Sequence, residues 1–190
     1  SNSFNEIDQF NQKIKLTDKT KSLLNKSRIK KVLSFNRYGG YNKYFKENDV
    51  LSSFLDFISK YEGSNFIIQN ASFDMRYLNS RSDIKFKNEV IDTKQILQLF
   101  YIPTLQALAE TDHKYQEVIS KIGTSDRDSG LISSSMSKIG PALGINMSGY
   151  HDALVDCRLM MSMIQKIIQF LKDHKDVNIK KFQMERIKTK

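Results

Sequence analysis

The stretch that most constrains this chain runs from Ala153 to Leu171. Ala153, Cys157, Met160, Met161, Ile164, Ile167, Ile168 and Leu171 recur at helical spacing and form one apolar stripe. The spacing predicts a helix that buries one face, and such a helix needs a core to lie on. Asp156 falls at the edge of the stripe, roughly 60° from its centre at 3.6 residues per turn. A carboxylate beside a core face is costly unless it is paired, hydrogen-bonded or bound to a metal. Gly149, Tyr150, His151 and Asp152 stand just before the helix. Asp152 is placed to cap it or to sit in its first turn, where negative charge suits the dipole. His151 belongs to the entering loop. An imidazole and a carboxylate therefore meet at the start of a buried helix, either as a site or as a satisfied pair at the core edge.

A chain of 190 residues is long enough for one ordinary domain with a real core. With 39% hydrophobic and 27% charged residues, it reads as globular rather than disordered. A net charge of +9 favours a polyanion partner, nucleic acid or an acidic membrane surface, with simple solubility as the bland alternative. Cys157 is the single cysteine, which excludes a disulfide framework and makes a reducing, cytoplasmic setting the expectation. No apolar run approaches the length of a membrane span, so no membrane partner is expected.

Residues 3–16 alternate partially (Phe4, Phe10, Ile14 and Leu16), which predicts an outer strand with no convincing strand before it. Residues 17–49 interleave cations with rings, among them Lys30, Lys31, Phe35, Arg37, Tyr38, Tyr41 and Lys43, around a Gly39-Gly40 turn. Such a mixture suits a strand of nucleotides, whose bases stack on rings while cations hold phosphates. It also suits a connection whose aromatics tuck under its own turn. Asp49 or Ser52 is placed to cap a helix carrying Leu51, Phe54, Leu55, Ile58 and Tyr61, with Gly63 as its stop.

Phe66-Ile67-Ile68-Gln69 reads as a buried strand, and Asn70-Ala71-Ser72-Phe73-Asp74 opens a helix directly after it. Ligands of α/β sheets sit at such strand ends. Asp74 is then either a ligand-bearing residue or a servant of the helix N-terminus. A short strand near 89–91 leads to Asp92, the expected N-cap of a helix that turns Ile96, Leu97, Leu99 and Phe100 inward. Pro103 must kink or restart that helix. His113 falls in a polar turn. Helix is expected over 115–122, a polar loop with Asp126 and Asp128 over 123–130, and a short helical region over 131–143 interrupted at Gly140-Pro141. Lys180, Lys181, Arg186, Lys188 and Lys190 make a basic tail, free to touch phosphate or to fray.

Two motifs stand out in this order: Asn70-x-x-Phe73-Asp74 after a strand, and His151-x-x-x-x-Asp156 opening an amphipathic helix. The combination resembles the DnaQ-like 3′→5′ exonucleases of the DEDD group, in the histidine subclass. The family's second motif is asparagine, two residues, then phenylalanine-aspartate; its third is histidine, four residues, then aspartate. Position 152 is Asp where the tyrosine subclass has its tyrosine. The resemblance covers residues 50–172.

It implies a ribonuclease-H-like α/β fold, a mixed sheet flanked by helices, with an exonuclease domain over 1–175 and the basic tail over 176–190. It implies metal-dependent hydrolysis at the 3′ end of nucleic acid, single-stranded DNA favoured. Asp74 and Asp156 would bind Mg²⁺ or Mn²⁺, hard cations that take oxygen ligands. The complete enzyme would hold two such ions about 3.5–4 Å apart, clamping the attacking and leaving oxygens. His151 would be the general base, a duty that suits a side chain titrating near neutrality. Asn70 and Phe73 would support the second motif and meet the substrate.

One departure matters. The family's first motif, Asp-x-Glu followed by Thr or Ser, is not present, and Glu6-Ile7-Asp8 runs in the reverse order. The expected explanation is that residues 3–16 match a later strand and the first strands precede Ser1. That would leave a fragment that binds metal poorly and acts weakly or not at all. The alternatives are a non-catalytic nucleic-acid-binding module on the same fold and an exoribonuclease of the same group. Polymerase association and self-association stay open.

Overall fold

Among the described residues helical spacing becomes helix along most of the length, while the apolar runs short enough for strands pair only over two or three residues. The computed structural model describes residues 5–14, 44–81, 86, 88–125 and 130–188. They fall into two compact units, residues 6–64 and residues 65–190 with the first five.

In the unit of residues 6–64, β1 (Lys13–Ile14) pairs in parallel with β2 (Tyr44–Phe45), and α1 (Glu47–Ser59) follows. Of the strand expected over 3–16, Lys13–Ile14 is what pairs among the described residues. Phe54 and Phe57, one turn apart on α1, both meet Phe10, with ring centroids 5.6 Å away in each case. Tyr61 packs on Phe57 and donates its hydroxyl to Asp8 Oδ2 at 2.8 Å. Neither expected cap is used. Lys46 occupies the N-cap position without a side-chain bond, so Asp49 lies in the first turn and Ser52 inside the helix. Residues 17–43 of the basic aromatic segment lie outside the described residues.

In the other unit, β3 (Phe66–Ile68) lies parallel to β4 (Val90–Asp92), with Phe66 opposite Val90 and Ile68 opposite Asp92. β3 passes through the two-residue turn Gln69-Asn70 into α2 (Ala71–Arg81), and β4 runs straight into α3 (Thr93–Ile96). A π-helical segment, Leu97–Tyr101, joins α3 to α4 (Ile102–Ala109). Then come α5 (His113–Ile122), α6 (Met136–Ala142), α7 (Ala153–Asp173) and α8 (Lys180–Lys188). Among the described residues the chain is mixed α/β and mostly helical, with two-stranded parallel sheets where a larger mixed sheet was expected.

The core gathers around 97–105. Leu97, Tyr101, Ile102 and Leu105 are at most 2% exposed, and Ile122, Ile139, Met163 and Ile167 pack into the same cluster. Phe100, expected inward, is 45% exposed. The wider π turn advances the register by one residue and gives the inward places to Tyr101 and Ile102. Pro103 has no N–H for the carbonyl of Leu99. Gln183 Nε2 of α8 donates to that carbonyl instead, at 2.7 Å. The segment expected to be a tail is therefore a docked helix: Phe182 is buried, and Lys181 meets Glu110 at 2.9 Å.

On α7 the buried residues are Met160, Met163, Ile164 and Ile167. Cys157 and Ile168, placed on the stripe from sequence, are exposed. They stand roughly 70–90° from the centre of the face that packs, and Met163 takes a place the stripe left out. No helix among the described residues is long and apolar enough to cross a membrane.

Candidate active site

The parallel pair β3–β4 ends with both chains turning into helices at one edge, and Asp92 ties the two turns together. Its Oδ1 accepts the backbone N–H of Lys94 at 2.9 Å, the N-cap bond expected from sequence. The same oxygen accepts from Asn70 N, and Oδ2 accepts from Ala71 N, both at 3.0 Å. One carboxylate thus satisfies donors at the start of two helices that would otherwise lack partners. Lys94 Nζ donates in turn to Asn70 Oδ1 at 3.1 Å. Asn70 is held through both its backbone and its side chain.

Asn70 needs that hold because its φ is +63°. Among the described residues only one other non-glycine has positive φ, and that residue is His151, at +83°. Side chains rarely adopt this region, though Asn and His enter it more readily than most, and residues that cost about 1–3 kcal/mol there persist where the surroundings fix them. At His151 the fixing group is Asp156, whose Oδ1 accepts the His151 N–H at 3.0 Å. The Asp156 N–H donates to Asp152 O at 2.8 Å. Asp152 caps α7 as expected, its Oδ1 accepting from Leu154 N and Val155 N at 3.1 and 3.3 Å. The exposed His151 ring packs against Tyr150, with centroids 4.1 Å apart.

Asp74 lies in the first turn of α2 with its surface open to solvent, and Phe73 beside it is 61% exposed. Partial desolvation pushes the Asp74 carboxyl up from the usual carboxylate range, and the neighbouring Asp92 charge adds to the shift. The Cys157 thiol is raised first by desolvation, then by the Asp156 charge, and also by Asp74. Tyr150 is raised by burial and then by Asp156, while a hydrogen bond with Ser137 opposes the rise. Asp74 and Asp156, far apart in the chain, thus both act on one sulfur. The structure joins His151 to Asp156, ties Asn70 to Asp92 and Lys94, and leaves the Phe73 ring largely exposed.

Two carboxylates are oxygen donors of the type Mg²⁺ takes, and that ion is commonly held by one or two carboxylates with water and substrate phosphate completing its shell. Asp92 is committed to three backbone N–H groups. Among the described residues no group of three or more His, Cys, Asp or Glu stands close enough to hold a metal. Asp126 and Asp128 lie outside the described residues.

Sequence reasoning missed the cleft alongside. It encloses about 460 Å³ and is lined by Asn70, Lys94, Gln98, Tyr150 and the serine-rich turn before α6. The run Ser133-Ser134-Ser135-Met136-Ser137 was its only linear signal. Compared with known proteins, the chain matches no family model, no curated protein and no solved structure.

Proposed function

We propose that this chain is a metal-dependent 3′→5′ exonuclease of ribonuclease-H-like type acting on single-stranded DNA. The observation that carries the reading is the pair of positive-φ residues. Asn70 and His151 belong one to each motif, and backbone strain held in place by specific partners gathers at functional sites. The shared influence of Asp74 and Asp156 on Cys157 supports it, as does the net charge of +9.

Asp74 and Asp156 are the residues that would hold Mg²⁺ or Mn²⁺. When bound, the cation polarises the phosphate and stabilises the charge that develops on it. His151 takes the proton of the attacking water. Exposed Phe73 offers a face to a terminal base, and Asn70 fixes the turn that presents Asp74. The test is release of mononucleotides from 3′-labelled single-stranded DNA in Mg²⁺. His151→Ala should lower the rate about 10²–10⁴-fold, the usual worth of a general base, and Asp156→Ala should abolish the metal-dependent cleavage. Activity that survives both changes overturns the reading.

The second reading is a nucleic-acid-binding module without catalysis. The absence of an Asp-x-Glu sequence favours it. Binding that weakens linearly in log salt, needs no metal and yields no cleavage would select it. A parallel RNA substrate separates the DNA enzyme from an exoribonuclease, because only the 2′-hydroxyl differs.

A further inference from the structure

Asp92, Asn70 and Lys94 close a ring of hydrogen bonds where β3 and β4 end. Asp92 Oδ1 accepts from the backbone N–H groups of Asn70 and Lys94, at 3.0 and 2.9 Å. Lys94 Nζ completes the ring by donating to Asn70 Oδ1 at 3.1 Å. The two bonds to Asn70 have different duties. The carboxylate holds the backbone of a turn whose φ is +63°, and it does so without the Asn70 side chain. The ammonium holds the side-chain amide. An ammonium carries donors and no acceptor, so the amide can face it only with its oxygen. Turning the amide round would set one group of N–H donors against another. The sense of an Asn amide is often open, and here the lysine fixes it. The other edge of the same planar group then carries two N–H donors. Both residues are half-buried, so the pair is partly shielded from water and still reachable. Asn70 opens the motif that contains Asp74, whereas Lys94 belongs to neither motif. A donor fixed before its ligand arrives loses less freedom on binding than one that must be ordered.

We propose that Lys94 is a positioning residue: it turns the Asn70 amide so that its N–H₂ edge meets an acceptor oxygen of the terminal nucleotide. Lys94 acts through Asn70 and does not itself touch the strand. The proposal rests on the exonuclease reading for the identity of that strand.

The experiment is a double-mutant cycle on the whole chain, read by fluorescence anisotropy of a labelled single-stranded oligodeoxynucleotide in EDTA across a salt series. Glycine is the partner substitution at position 70, because it keeps positive φ without a side chain. Lys94→Met should weaken binding about threefold to tenfold, the worth of one neutral hydrogen bond. In the Asn70→Gly chain the same change should cost nothing further. Lys94→Arg should restore most of the affinity, since a guanidinium likewise offers only donors. Lys94→Gln, which can show the amide either a donor or an acceptor, should fall between methionine and lysine. The Asn70 side-chain N–H₂ signals in nitrogen-edited NMR, identified by their loss in Asn70→Gly, should move when the oligomer is added to wild type and move less in Lys94→Met. A lysine that only steadied the fold would leave that response unchanged.

The proposal is overturned if Lys94→Met and Lys94→Gln keep the wild-type circular dichroism and Kd. It is overturned as well if Lys94→Met costs as much in the Asn70→Gly chain and lowers the slope of log K against log salt by about 0.7, the mark of a lysine on phosphate. A wild type that does not bind the oligomer also overturns it. Release of mononucleotides in Mg²⁺ by a Lys94→Met chain that binds normally sinks the positioning role and spares the exonuclease. Coupled binding without cleavage supports the role and sinks the exonuclease.

Discussion

The backbone N–H of His151 donates to Asp156 Oδ1 at 3.0 Å while His151 sits at φ +83°. The residue read as the base and the residue read as a metal ligand are joined through the main chain, which leaves the imidazole free of that bond. The carboxylate thus has a structural duty in the loop before any chemistry is asked of it.

Replacing His151 with glycine should separate strain from function. Glycine adopts positive φ without a steric cost but loses more entropy on folding. A net stabilisation of up to about 1 kcal/mol over His151→Ala is expected, because alanine keeps the strain. Both variants should lose cleavage. Thermal denaturation beside 3′-end release checks this, and a glycine variant no more stable than the alanine one refutes it.

Cys157 reports on both acids. Desolvation by the atoms around the sulfur raises its thiol most, and the Asp156 and Asp74 charges raise it further. Asp156→Asn keeps an oxygen for the His151 N–H yet removes the charge. The thiol should then titrate at lower pH, and Asp74→Asn should move it the same way by less. The pH profile of alkylation by iodoacetamide measures this. No shift in the Asp74 variant would mean that the two acids are not neighbours.

Asp74 should make stability depend on pH. Its folded carboxyl titrates above the ordinary range, so the native state binds more protons than the unfolded chain between the two values. Stability is then fullest below the unfolded value and falls as pH rises through the folded one. Asp74→Asn should be more stable than wild type at neutral pH, with the difference closing in acid. Urea midpoints across an acid-to-neutral series give the comparison, and equal midpoints at neutral pH would count against it.

Asp92 holds three backbone N–H groups from two helix starts. Removing one cap commonly costs about 1 kcal/mol, so Asp92→Ala should cost about 2 kcal/mol. Asp92→Asn turns one oxygen into a donor and should cost less, since the amide oxygen still serves part of the set. Urea unfolding resolves the two, and an alanine variant within about 0.5 kcal/mol of wild type would be inconsistent with the double cap.

Much of this was legible along the chain, and the remainder was not for identifiable reasons. The helices of α5 and α7 and the caps at Asp92 and Asp152 follow from spacing and from residue type. The second duty of Asp92 reaches back to Asn70 and Ala71, and bonds across that span leave no local mark. Phe100 was misplaced because periodicity assumes a constant turn. Cys157 was misplaced because small apolar residues fit either side of a helix boundary. The cleft escaped notice because hydroxyls and amides make a surface only when distant segments fold together.

The five residues from Leu97 to Tyr101 hold one more amino acid than the same rise of α-helix requires. Excising one of them would leave α3 and α4 in their present phase, whereas a deletion elsewhere in the run would swing everything downstream by about 100°. The run that sets Leu97 and Tyr101 into the core is therefore also a place where the chain can change length.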